Sequence, residues 1–128
     1  MLTHSIMVLV KKIEGLCIME KENLYGKVHM KENADIVLEY YLISEEISEE
    51  YSNLKSYGVK INKISRYAGG GKTVEMKQIN NIFCRIGDAE EFIKYIMKYQ
   101  VTPITLRDVA EDYVVESLEK AKYAGTLI

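Results

Sequence analysis

Gly69-Gly70-Gly71-Lys72-Thr73 carries the residue types of a phosphate-binding loop. In such a loop, backbone N–H groups wrap phosphate oxygens and the lysine reaches the outer phosphates. The pattern G-x-x-x-x-G-K-[ST] also requires a glycine at position 66, where Arg66 stands. Thr73 opens an alternating strand pattern, so the run reads as a hairpin turn that needs positive φ. His4 and His29 lie far apart in the first quarter of the chain, with no Ser or Cys in a nucleophile motif near either. Cys17 and Cys84 have no C-x-x-C spacing, and two cysteines with two histidines do not build a four-ligand zinc site by the common patterns. No catalytic residue, no metal ligand and no cofactor is expected. The two thiols read as buried or half-buried in a reducing compartment.

A second group of chemically able residues lies near the C-terminus. Asp108, Glu111, Asp112, Glu116 and Glu119 fall on one side of a helical pattern. Paired carboxylates could move protons or hold a hard cation. Acid–base work needs burial to separate the two pKa values, and these positions oppose the apolar stripe of their helix. Lys120 is placed to pair with Glu116, and Arg107 with Glu111. The set therefore reads as a solvated face. Val115 is the exception, an apolar side chain among acids. Arg107, Asp108, Glu111, Asp112 and Val115 are the candidate partner surface.

Tyrosine is the third signal: 10 Tyr against 2 Phe and no Trp. Tyr joins an apolar body to a polar tip and is enriched at interfaces. Tyr40 and Tyr41 must face opposite sides of one strand, so at least one is expected near the surface.

These residues need a scaffold. The chain has 128 residues, the length of one domain, and it is 48% hydrophobic and 28% charged, which is globular composition. Net charge is −2, from 17 basic and 19 acidic residues. A nucleic-acid partner is unexpected without a basic excess. The apolar run Ile6–Val10 is too short for a signal peptide core or a membrane span. It reads as a strand, and the protein as cytoplasmic with no membrane partner.

Leu16 to Met19 is read as a return strand after the Glu14-Gly15 turn, Glu20 to Asn23 as loop, and Tyr25 to Met30 as another short strand. Ile36 to Ile43 alternates, with Ile36, Leu38, Tyr40 and Leu42 as the core face. Ser44 to Ser52, with four glutamates, is expected to be a short helix or an acidic loop. Strands resume at Lys55 to Tyr67 and Thr73 to Ile79, the second extending toward Cys84. The period then changes to 3.6. Asp88 and Glu91 have capping-box spacing before a helix to about Tyr99, with Ala89, Phe92, Ile93, Ile96 and Met97 inward. Pro103 ends that pattern. Thr105 caps a second helix whose stripe is Leu106, Val109, Ala110, Tyr113, Val114, Ser117, Leu118 and Ala121, with Gly125 as its stop.

The expected fold is α+β: an antiparallel meander of about 3–5 strands with two C-terminal helices packed on one face. One domain spans 1–128, with N-terminal strands or an extension over 1–35, the meander over 36–84 and the helices over 88–124.

The stretch Val101-Thr102-Pro103-Ile104-Thr105-Leu106-Arg107-Asp108-Val109-Ala110-Glu111-Asp112-Tyr113, with Glu39-Tyr40-Tyr41-Leu42 and Ser56-Tyr57-Gly58-Val59, resembles a family of short bacterial proteins. That family is found largely in anaerobic spore-forming Firmicutes and is catalogued only as a domain of unknown function. The likeness covers roughly residues 36 to 115. The family pattern often has His where this chain has Thr105. The resemblance implies a bacterial cytoplasmic protein and brings no activity or site.

The functional expectation is a non-enzymatic protein-binding or regulatory module, acting on a protein partner or on a second copy of itself. The alternative is a small-molecule-binding domain or minor enzyme with a Tyr-lined pocket between sheet and helices.

Overall fold

The computed structural model describes residues 5–13, 15–49 and 52–123, and side chains over 10, 15–49 and 52–120. Five strands form one antiparallel sheet in sequence order: β1 (Ser5–Ile13), β2 (Leu16–Lys31), β3 (Asp35–Glu49), β4 (Ser52–Arg66) and β5 (Lys72–Phe83). Two helices follow, α1 (Ile86–Lys98) and α2 (Leu106–Tyr123). The α+β meander with C-terminal helices is the architecture expected from the periodicity.

Two segments differ from the sequence reading. Glu20 to Asn23 is not a loop but the middle of β2, one strand of 16 residues that includes Leu16–Met19 and Tyr25–Met30. Ser44 to Glu49 is neither helix nor acidic loop but the end of β3, paired with Ser52–Tyr57. The cause is shared. Polar residues belong in a strand whose outer face is wet and whose backbone is paired on both sides. Ile43 and Ile47 keep the alternation going among the glutamates, and Ile47 sits opposite Leu54.

The strands are not flat. Two of the register shifts lie between Leu24 and Gly26 and, where β4 meets β5, between Tyr57 and Val59. At the second bulge Asn81 takes φ 58°, and the Ile79 carbonyl and Asn80 backbone occupy the space a Cβ on Gly58 would need. The hairpin between β4 and β5 is the glycine turn, with Gly70 at φ 94° and the Tyr67 N–H donating to Gly71 O at 2.8 Å.

The core lies between α1 and the face of Leu38, Tyr40, Leu42, Val59 and Ile61. Ala89, Phe92, Ile93 and Ile96 of α1 are fully buried against it. Burying a side chain such as Phe92 contributes about 1.5–3 kcal/mol. The Tyr40 hydroxyl donates to Val101 O at 2.9 Å and so ties the sheet to the segment after α1. Burial holds its phenol well above the usual range.

The helix ends are corrected in detail. No side chain caps α1: Arg85 is the N-cap residue, and Asp88 lies in the first turn, where it favours the helix dipole. At the other end Gln100 turns left-handed at φ 52°. Gln100 N–H donates to Met97 O and Val101 N–H to Ile96 O, a Schellman closure that reverses the chain toward α2. The Thr105 hydroxyl does not cap α2 but points back to Thr102 O at 3.4 Å. Gly125 lies outside the described residues.

Candidate functional site

Buried Val101 and Pro103 place the start of α2 beside α1 and β5. Leu106 and Ala110 are buried. Tyr113 then enters a ring cluster, with centroids 4.8 Å from Phe92, 5.1 Å from Tyr95 and 6.3 Å from Phe83. Burial, followed by the charges of Glu91 and Asp88, raises its phenol pKa. Beyond Tyr113 the packing stops. Val114 is half-buried, Ser117 is exposed and Leu118 is 55% exposed. Ser117 and Leu118, expected in the buried stripe, are therefore corrected to surface residues. Leu106 and Ala110 anchor the first turns, while Ser117 is too short to reach the core.

The flank of α2 that faces β5 forms an open groove of about 460 Å³. Its walls are Ile79 and Ile82 from the strand and Arg107, Glu111, Val114 and Val115 from the helix. Three of the five candidate residues, Arg107, Glu111 and Val115, thus come together at i, i+4 and i+8. Asp108 lines a neighbouring shallow cleft with Ile104 and Lys77. Asp112 is exposed and borders neither hollow. Val115 is 54% exposed, the apolar exception the acidic stripe suggested. The expected pairs Arg107–Glu111 and Glu116–Lys120 are not formed. Among the described residues all four ion pairs lie on the sheet.

The other concentration of titratable groups is the sheet face away from the helices. Lys60 Nζ donates to Glu22 Oε1 at 2.7 Å, with side-chain exposures of 13% and 8%, and lies 4.6 Å from the centroid of the Tyr41 ring. The Tyr41 hydroxyl donates to Glu39 Oε1 at 3.0 Å, and Asn62 Nδ2 donates to the same oxygen at 3.4 Å. Burial first, and the Glu39 hydrogen bond second, push the Tyr41 phenol up to about 12. Tyr40 and Tyr41 are both buried, against the expectation that one lies near the surface. Long polar neighbours cover Tyr41 as the helices cover Tyr40.

Glu20 of β2 accepts from Gln78 at 3.3 Å and Asn80 at 3.5 Å, both on β5. A flat sheet would hold those strands about 14 Å apart. The sheet is therefore bent toward this face along that diagonal. Every carboxylate named in this network has a partner, so the network reads as structural.

Cys17 is half-buried and Cys84 is exposed, which corrects the expectation for Cys84, and both are free. His29 is exposed on β2, and His4 lies outside the described residues. Among the described residues no group of three or more His, Cys, Asp or Glu could hold a metal ion. No described helix is long and apolar enough to cross a membrane.

A family model matches residues 19–116, most of the chain, and its description is a family of unknown function, DUF6514. The chain belongs to that family. The match includes β2 from Met19 onward, so it takes in part of the segment before residue 36 as well as both helix starts. No curated protein and no solved structure matches the chain.

Proposed function

We propose that the chain is a non-enzymatic binding or regulatory module that acts through protein contacts at the flank of α2 facing β5. One observation carries this reading: Arg107, Glu111 and Val115 join Ile79, Ile82 and Val114 in a single open groove. An apolar floor edged by charge is the composition of a contact patch, whose centre excludes charge and whose rim stays wet. The free thiols, one of them exposed, fit a reducing bacterial cytoplasm as its place of work.

The test is affinity capture from host extract with the tagged chain and with its Val115→Arg variant, after both are shown to melt at the same temperature. A stoichiometric protein held by the parent and lost by the variant supports the reading. An identical set of captured proteins from both removes this flank from consideration.

A further inference from the structure

The groove beside Val115 does not end at Ile82. Ile82 and Val114 also line a neighbouring cleft of about 490 Å³, whose walls include Phe83, Tyr113 and Leu118. The two hollows form one trough along the flank of α2. From Arg107 to Leu118 that flank is about 16 Å long, or three helical turns.

Carboxylates edge the trough from two elements. Glu111 stands in the first hollow, and Asp88 and Glu91 of α1 stand in the second. The outer side of α2 adds Asp108, Asp112, Glu116 and Glu119 against Lys120. One arginine lies in each hollow, Arg107 and Arg85. None of these carboxylates takes part in an ion pair among the described residues. Among the described residues the two hollows carry three carboxylates against two arginines, none of them in an ion pair, so the lining is net negative. A positively charged occupant matches it, and matched charge steers association and rejects wrong partners.

Two alternatives fit less well. A second copy of this chain would bring its own acidic α2 against the first. An extended strand would need the outer edge of β5, but that edge is bulged at Asn81, with φ 58°, beside the trough. A bulge interrupts the ladder that an added strand requires.

We propose that the trough seats a basic amphipathic helix of a partner protein. Its apolar stripe lies over Ile82, Val114 and Leu118, and its flanking Lys or Arg residues face Asp88, Glu91 and Glu111. This inference rests on the reading of the α2 flank as a protein contact surface.

The experiment uses the full chain and two synthetic helical peptides with the same leucine stripe. One peptide carries Lys on its flanks and the other Glu, and binding is read by fluorescence anisotropy. The Lys peptide is expected to bind roughly tenfold tighter at low salt, with the gap narrowing as salt rises. The double variant Asp88→Lys, Glu91→Lys should close the gap, and Leu118→Arg should abolish binding with an unchanged melting temperature. Equal binding of the two peptides overturns the inference, as does Lys-peptide binding that survives Leu118→Arg. The two levels fail separately. A captured protein that is lost on Val115→Arg but not displaced by the Lys peptide sinks the basic helix and leaves the contact surface. Capture indifferent to Val115→Arg sinks the contact surface itself.

Discussion

On the bent face of the sheet, Lys60 is held by Glu22, Glu39 by Tyr41 and Asn62, and Glu20 by Gln78 and Asn80. On the outer half of α2, Glu111, Asp112, Glu116 and Glu119 have no ion-pair partner among the described residues, and Val115 and Leu118 are more than half exposed. Both regions are rich in charge and both hold apolar side chains. The sheet satisfies its groups internally, so their removal should register as lost stability. The helix leaves its groups to solvent, so their removal should register only when something binds.

The largest contrast is apolar. Phe92, fully buried on the inner face of α1, should lose about 3–5 kcal/mol as Phe92→Ala. Leu118→Ala, on the exposed flank of α2, should stay within about 0.5 kcal/mol of the parent. Denaturant unfolding of the two variants reads both values. A Leu118 loss comparable to that of Phe92 would mean the outer half of α2 is core, and the contrast would collapse.

Charge gives the next test. Lys60→Met leaves Glu22 buried without its cation and should lose about 3 kcal/mol. Adding Glu22→Leu should recover most of that, because an apolar pair needs no counter-ion. Glu116→Gln on α2 should change stability by no more than about 0.5 kcal/mol. If Lys60→Met were as silent as Glu116→Gln, the sheet network would be an ordinary surface pair.

The smallest effect is alkaline. Tyr41 titrates near 12 in the fold against an ordinary value of 10. Below pH 10 both states hold the proton and its contribution is complete. Between 10 and 12 the unfolded chain releases the proton first, so stability falls as pH rises, by about 1.4 kcal/mol per unit. Tyr41→Phe should make that decline shallower in urea unfolding followed across this range, with the remainder due to Tyr40 and Tyr113, whose phenols burial also raises. An unchanged slope would show that Tyr41 is not held as its geometry implies.

Much of this division was legible in the sequence. The 3.6 period of Ala89, Phe92, Ile93 and Ile96 identified the buried face of α1. The alternation of Ile36, Leu38, Tyr40 and Leu42 identified the core side of β3, and Val115 stood out among acids. What escaped depends on groups far apart in the chain. Glu20 to Asn23 looked like loop because its partners, Ser44 on β3 and Gln78 on β5, lie distant in sequence. Tyr41 looked exposed because burial by Lys60 and Glu22 exists only in the folded sheet. Leu118 fitted the helical stripe, but periodicity cannot show where α1 and β5 stop offering a surface. The weakening after Tyr113, where Ser117 and Ala121 replace large side chains, was the available signal.

Hydrogen exchange of the full chain, free and with the Lys-flanked helical peptide, reads which surface closes on binding. Amides of α2 from Arg107 to Leu118, and of β5 near Ile79 to Ile82, are expected to gain protection on binding, while those of β2, β3 and β4 do not change. Protection gained on the bent sheet face around Lys60 and Tyr41, with α2 unaltered, would contradict that expectation.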